Sequence, residues 1–552
     1  MKFKTKWITV LFLIGLVFSL TINYYSFFNS ELKPGQSNEV NNIKKPKTSG
    51  VYTSIIIDDL LISNTTTEGN WAWAETQEWC SGSGTLLDPY IIESNIWNMS
   101  MRIDGLKINN SNSKHFIIRN CTFKWNELTN TIVMTGIYLR NTTHGQITDN
   151  IMHHLGYGIR LEDCNNINIT GNTIYDQIDG IYLVDSSLTT ILGNSISNNG
   201  GNGIYLYNCN NNKILNNTFN KNGDSGVYLE EHSNDNIISG NIIKENNYNG
   251  IYLYYYCDDN EISNNFINDT QDYGISLHWY SQDNSVNDNV VNFNGEIGIE
   301  LYDYCEGNKV SYNIVSYNGL NGIGIYDFSD RNSVRKNLLY NDTIGVYIDN
   351  SDNNTIYERN IFSKNGLHAF DDGIDNAWSS TFVGNYWDNH TGPDFSPVDG
   401  IVDDPYTYIG GSAGSIDYFP LAEDGAPVLT IQFPQEGSKY GNTAPTYSII
   451  ASDIYIVSMW YTLDDGLHNY TFTGEDGTIS QSAWNAMPDG AITIKFYALD
   501  IAGNIGTAEV TIGKNLPGEF DPTMVIIIVV VSIVGGITLI AIAYHFLKKR
   551  KA

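Results

Sequence analysis

The densest run of side chains able to do chemistry lies between residues 252 and 304, where Tyr252, Tyr254, Tyr255, Tyr256, His278, Trp279, Tyr280, Glu300, Tyr302, Asp303 and Tyr304 fall close together. Rings that carry a hydroxyl or an indole N–H join an apolar face to a polar edge, the combination that packs on a sugar ring. Tyr205, Tyr207 and Tyr228 extend the series toward the N-terminus. The plainer alternative is that tyrosine is a good strand residue and that these rings only pack on one another. Glycoside hydrolysis needs two carboxyl groups about 5 to 9.5 Å apart. Glu230 and Glu300 lie three repeats from each other, too far to cooperate, and Glu300 beside His278 or Asp303 is expected to be a solvated surface group. The reading therefore leans toward binding and away from catalysis, with no catalytic residue assigned.

Two sets of residues offer metal ligands. Asp388, Asp394, Asp399, Asp403 and Asp404 supply hard oxygens suited to calcium, although their spacing is not that of an EF-hand. Met152, His153 and His154 supply softer donors suited to copper. Neighbouring residues of a strand alternate between faces, so His153 and His154 are expected to point apart. A formal charge of -31 repels a phosphate backbone, which argues against a nucleic-acid partner.

These residues must be positioned by a repeat. Gly-Ile-Tyr-Leu or a variant begins at Gly136, Gly158, Gly180, Gly203, Gly226, Gly250, Gly274, Gly298, Gly322 and Gly345, in steps of 22 to 24 residues. Asn150, Asn172, Asn194, Asn217, Asn241, Asn265, Asn289, Asn313, Asn337 and Asn360 keep the same period. Apolar and polar residues alternate over only four or five positions, which makes short strands and not helices. One repeat cannot bury its own apolar edge and must stack on the next, about 4.8 Å away. The fold class that follows is all-β: a right-handed parallel β-helix, with the asparagines forming an amide ladder at one corner in left-handed turn conformations.

Counting from the repeat glycine, positions one and three (Ile137 and Leu139, Ile251 and Leu253) form the core, and positions two and four are expected to face solvent. Cys164, Cys209, Cys257 and Cys305 recur in alternate coils, about 9.6 Å apart and beyond disulfide reach. They are expected to be buried thiols, while the pairing of Cys80 and Cys121 stays open.

The flanks carry a family resemblance. Gly384-Asn385-Tyr386-Trp387-Asp388, Thr391-Gly392-Pro393-Asp394, Asp399-Gly400-Ile401, Asp404-Pro405-Tyr406 and Asp417-Tyr418-Phe419-Pro420-Leu421 resemble the closing motif of the NosD-like β-helix family. The resemblance covers roughly residues 80 to 422. It implies the β-helix fold, which sugar-binding and sugar-hydrolysing proteins share, and a periplasmic role in copper delivery. The Asp-Asp, Gly-His-Gly and Arg-Ile-Lys elements of polygalacturonase-like β-helix enzymes are not found. Farther on, Tyr497-Ala498-Leu499-Asp500-Ile501-Ala502-Gly503-Asn504 resembles the last strands of bacterial-type immunoglobulin-like domains, which commonly serve as stalks.

Two apolar runs set the expected topology. Lys2, Lys4 and Lys6 precede Trp7 to Leu20, the pattern of a signal peptide or signal anchor. Met524 to Phe546 is long enough to span a bilayer and is followed by Lys548, Lys549, Arg550 and Lys551, which places the C-terminus in the cytoplasm and the bulk outside. The expected organisation is a signal or anchor (1–28), a linker (29–52), an N-terminal cap and first coils (53–135), β-helix repeats (136–385), a closing region (386–424), an Ig-like β-sandwich (425–514), a linker (515–522), a transmembrane helix (523–547) and a basic tail (548–552). Three functions follow in order: a membrane-anchored surface protein that binds glycans or surface proteins, a polysaccharide lyase or glycoside hydrolase, and a copper-handling protein.

Overall fold

In the computed structural model the described residues are 50–515, apart from 100–103, 126–133, 391, 396–399, 423–425, 454–455 and 501–503. They fall into two compact units divided between residues 424 and 425. The apolar runs at 7–20 and 524–546 lie outside the described residues, so the expected anchor segments do too. Among the described residues no helix is long and apolar enough to cross a membrane.

The larger unit is a stack of coils, each contributing one strand to each of three sheets of 14, 14 and 13 strands. The Gly-Ile-Tyr-Leu strands form one sheet, here the tyrosine sheet, running from Glu68–Gly69 to Leu367–Asp371. Its register is the one the repeat implies: Ile181 pairs with Ile204, Ile204 with Val227, Val227 with Ile251, and Ile251 with Ile275. The pairs are parallel, and every such core residue is fully buried. The repeat glycine is needed because a side chain there has no room: a Cβ on Gly250 would stand 2.4 Å from the Gly274 carbonyl oxygen and 2.5 Å from Ile267 Cγ2.

The asparagine column is a continuous ladder from Asn150 to Asn385. Each Nδ2 from Asn150 to Asn289 donates to the Oδ1 of the next coil at 2.9 to 3.1 Å. The expected left-handed conformation belongs one residue earlier. Asp149, Gly171, Gly193, Asn216, Gly240, Asn264 and Asp288 have φ between 53° and 69°, and the ladder asparagines do not. The turn swings the next side chain inward, where its amide satisfies buried backbone groups that no sheet reaches. Two further ladders occupy the other corners: Asn212 through Asn236, Asn260, Asn284, Asn308, Asn332 and Asn354 to Asn376, and a mixed column containing Asn199, Asn222, Asn294, Asn318, Asp342 and Asn365.

The cysteine column alternates with serines: the Cys164 backbone N–H donates to Ser186 Oγ at 3.0 Å and that of Cys209 to Ser233 Oγ at 3.1 Å. All six cysteines are buried, and Cys121, Cys164, Cys209, Cys257 and Cys305 are free thiols. Burial pushes the thiols of Cys164, Cys209 and Cys257 up to about 12. Aromatic rings close both ends. Trp71, on the short helix Trp71–Ala74, stacks on Tyr90 at 4.4 Å, and at the other end Phe362, Trp387 and Tyr406 stack at 4.2 and 4.0 Å.

The second unit has a three-stranded sheet (Val428–Phe433, Thr446–Ser452, Asp476–Thr478) and a five-stranded sheet whose longest strands are Gly490–Asp500 and Ile505–Lys514. Its core holds Tyr447, Tyr461, Trp484, Ile494 and Phe496. It is a compact unit of β-sheets with one short helix, Gln481–Ala486.

Candidate functional site

Position two of the tyrosine sheet reads Tyr182, Tyr205, Tyr228, Tyr252, Ser276, Glu300, Gly324, Tyr347 and Phe370 in register. From Tyr157 through Tyr182, Tyr205 and Tyr228 to Tyr252 the ring centroids are 4.9 to 5.0 Å apart. The rings lean on one another, tilted by 39°, 49° and 31° between the first four and near parallel, at 16°, only between Tyr228 and Tyr252, so each partly covers its neighbour. The coil spacing brings the rings into contact along this stretch, so the faces expected from the sequence are shared in part between neighbouring rings.

At Ser276 the aromatic path changes position without breaking. It passes from Tyr252 to His278 (5.2 Å, edge-on), then to Tyr302 (5.0 Å) and Tyr326 (6.3 Å), and returns to position two at Tyr347 (5.4 Å) and Phe370 (4.7 Å). Gly324 permits the return: a Cβ there would lie 2.4 Å from Tyr326 Cε2, so the missing side chain seats that ring. Asn321 Nδ2 donates to the Tyr326 hydroxyl at 2.6 Å.

Beneath this sidestep lies Glu300. The sequence places it on a solvated face, but it is only 4% exposed, because the sidestepping rings roof it over. Its Oε2 lies 2.7 Å from His278 Nε2 and accepts from Ser276 Oγ at 3.0 Å. Tyr252 Oη stands 3.3 Å from His278 Nδ1. Burial, together with neighbouring tyrosine and glutamate charge, drives the hydroxyls of Tyr252, Tyr273 and Tyr326 upward, so they remain hydrogen-bond donors at any working pH. The arrangement can hold a proton between a carboxylate and an imidazole and offer phenolic donors around it. Glu230, further down, accepts from the Tyr205 hydroxyl.

A second aromatic column, not foreseen as one, runs along the adjoining turns. His232, Tyr256, Tyr280, Tyr304 and Phe328 stack at 4.8 to 5.1 Å with planes within 19° of parallel. All five have positive φ, which turns them off the sheet. Trp279 projects beside them, 41% exposed, with Tyr254 and Tyr255 at 6.4 and 6.3 Å, and Tyr207 is exposed lower on the sheet. Of the sequence-derived binding residues, the sidestep gathers Tyr252, His278, Glu300 and Tyr302. Tyr254 and Trp279 border it, while Tyr205, Tyr207 and Tyr228 lie in lower coils.

The acidic closing region does not converge. Asp388 Oδ1 lies 2.9 Å from His368 Nε2, and its Oδ2 accepts from Ser363 Oγ and the Lys364 N–H at 3.0 and 2.7 Å. Asp394 accepts from the Gly400 N–H at 2.9 Å and Asp403 from the Phe395 N–H at 2.6 Å, while the Asp404 carbonyl oxygen lies 2.8 Å from His390 Nε2. Asp399 is outside the described residues. Among the described residues no three His, Cys, Asp or Glu side chains are grouped to hold a metal ion.

The copper candidates part company. Met152 is fully buried in the core and out of reach of any surface ion. His153 and His154, expected to diverge, converge: their Nδ1 atoms are 2.8 Å apart, because His154 takes φ 60° and the chain turns there.

A family model described as "Right handed beta helix region" matches residues 104–267, and one described as "Periplasmic copper-binding protein (NosD)" matches residues 245–392. No curated protein matches the chain. Among solved structures, a mannuronan C-5 epimerase A-module from Azotobacter vinelandii is 14% identical, with 52% of this chain and 83% of that one covered and a TM-score of 0.41. The catalytic domain of an α-1,3-glucanase in complex with tetrasaccharides is also 14% identical, with 69% and 70% covered and a TM-score of 0.42. A surface adhesin of Streptococcus pneumoniae is 10% identical, with 55% and 86% covered and a TM-score of 0.37. The parallel register, the inward Ile and Leu columns and the matching family models lead to one conclusion: the larger unit folds as a right-handed parallel β-helix.

Proposed function

We propose that this chain is an extracytoplasmic β-helix protein that binds glycans along its tyrosine sheet, with the centre of the site at His278, Glu300 and Tyr302. The observation that carries the reading is the aromatic path from Tyr182 to Phe370, which leaves position two where a buried carboxylate lies under it. Edges and hydroxyls spaced by one coil suit a chain of hydroxyl-rich rings lying along the stack. Support for the location comes from the apolar runs 7–20 and 524–546 with their basic flanks and from the periplasmic family description. In this reading the second unit is an Ig-like stalk, since in chain order it stands between the β-helix and the C-terminal apolar run.

A glycan array probed with the full chain tests the proposal. Binding to at least one class of polysaccharide is expected, reduced at least ten-fold by Tyr252→Ala or Tyr302→Ala; no binding, or binding that both substitutions leave intact, rejects it. A second reading, a polysaccharide-cleaving enzyme, is favoured by one observation, the buried Glu300 paired with His278. Release of reducing ends from a polysaccharide panel, abolished by Glu300→Gln, would establish it. Calcium is not part of the proposal, because Asp388, Asp394 and Asp403 already accept hydrogen bonds from their own surroundings.

A further inference from the structure

Charge is sorted between the sheets of the β-helix. From Tyr182 to Phe370, positions two and four of the tyrosine sheet carry Glu230, Glu300 and Asp349 and no lysine or arginine. The same coils place their cations on the other two sheets, Lys244 on the strand Ile242–Lys244, and Lys213, Lys309 and Arg335 on Lys213–Leu215, Lys309–Ser311 and Ser333–Arg335. More carboxylates border the face. Burial first, then the charge of Glu300 and Glu296, pushes the Tyr273 hydroxyl up, and burial followed by the charge of Asp327 does the same to Tyr302. Below Tyr182 the character reverses. In register there are Lys107, Tyr138 and Arg160, with Lys107 Nζ and Arg160 Cζ at 4.4 and 5.4 Å from the Tyr138 ring centroid.

Glu300 supplies a second, independent sign. His278 and Ser276 both engage its Oε2, while its Oε1 has no partner among the described residues and is not sealed from solvent. A carboxylate that is 4% exposed keeps one oxygen for a donor from outside, and a charged donor satisfies it best. Tyr252, Tyr273 and Tyr302 gather around His278 at 5.2, 6.4 and 5.0 Å. Rings grouped beside a carboxylate attract cations through their faces. We infer that the glycan is cationic, a polymer of hexosamine units with free amino groups, one ammonium donating to Glu300 Oε1 and others lying among the carboxylates and tyrosine rings from Tyr182 onward. The inference rests on the glycan reading and names its class of sugar. A uronate or sulfated polymer would meet repulsion along the same face, and a long cationic one would be stopped at Arg160 and Lys107.

An array of linkage-matched pairs, each backbone as the free amine and as its N-acetylated form, with uronate and sulfated polymers alongside, tests this on the full chain. On any backbone that binds, the free amine should bind at least ten-fold more tightly than its N-acetylated partner, and the anionic polymers should not bind. Raising the ionic strength should weaken the amine form and spare the N-acetylated one. A chain of charge -31 attracts any polycation, so variants must locate the binding. Glu300→Gln should lower affinity for the amine form at least ten-fold, and Asp303→Asn combined with Asp327→Asn about five-fold, with the far-ultraviolet circular dichroism unchanged. Glu245→Gln, at the turn after the strand Ile242–Lys244 and paired with Lys221, should have no effect. Equal binding of amine and N-acetylated forms, tighter binding of an anionic polymer, or an equal loss in Glu245→Gln would overturn the inference and leave the glycan reading standing. No binding to any glycan would remove both.

Discussion

At Asp342 a carboxyl group occupies a rung that the coils on either side fill with asparagine. Its Oδ1 accepts from the Asn318 N–H and Nδ2 at 2.7 and 3.0 Å, while its Oδ2 is buried without a partner. An amide there would donate from that second atom, and a carboxyl can do so only when protonated. Burial accordingly pushes Asp342 up to about 7, against the hydrogen bonds from Asn318 that lower it. A folded-state value raised above the unfolded one gives stability that is complete below about pH 4 and is lost as pH rises through about 7. Asp342→Asn should therefore leave stability near pH 4 little changed and raise it at pH 8 by about 1 to 3 kcal/mol, as read by urea denaturation at both pH values. Removing a partner at the site should act oppositely. His278→Ala leaves Glu300 buried beside only Ser276 and should cost about 3 kcal/mol, whereas Glu300→Gln should fold nearly as well and lose glycan binding in the array. The burial of Glu300 was not legible in the sequence, because alternation assigns a residue to a face but says nothing of the rings that fold over it. The convergence of His153 and His154 was hidden for a related reason: alternation assumes extended backbone, and His154 leaves it.

The elements follow from two demands, that apolar edges be covered by the next coil and that corner backbone groups find partners. Gly250 meets the first and Asn265 the second. Gly250→Ala pushes a methyl against the Gly274 carbonyl and should destabilise by about 1 to 3 kcal/mol or more. Asn265→Ala strips an acceptor from the Asn241 N–H and Nδ2 and a donor from the Ile238 carbonyl. Its cost should be about 3 kcal/mol, with both substitutions measured by chemical denaturation. These columns could be read from sequence because the same residue type recurs at a fixed step. The other two ladders could not be singled out in so asparagine-rich a chain, and the mixed column is also broken in type by Thr270 and Asp342. The tyrosine column was read correctly as a column, but the ring-to-ring contacts set by the coil spacing enter only when the coils are stacked.

For the β-helix as a whole, one long core has no seam, since the coils from Ile55 to Ile409 share a single buried cluster. Its thiols are sealed within it. A thiol reagent should label none of Cys121, Cys164, Cys209, Cys257 and Cys305 in the folded chain and all five after denaturation; rapid labelling of these five in the native protein would show that the coils open. Such a stack behaves as a one-dimensional array in which each coil contacts its neighbours, so a surface built on it is long and periodic. That geometry suits an extended ligand lying along the axis. The account rests on this surface being where glycan binds. Its most direct test is a crystallographic or cryo-EM structure of the full chain with the oligosaccharide that scores highest on the array. Sugar density along the tyrosine sheet, in contact with Tyr252, His278 and Tyr302, is the predicted result; sugar density on another face, with the tyrosine sheet bare, would contradict it.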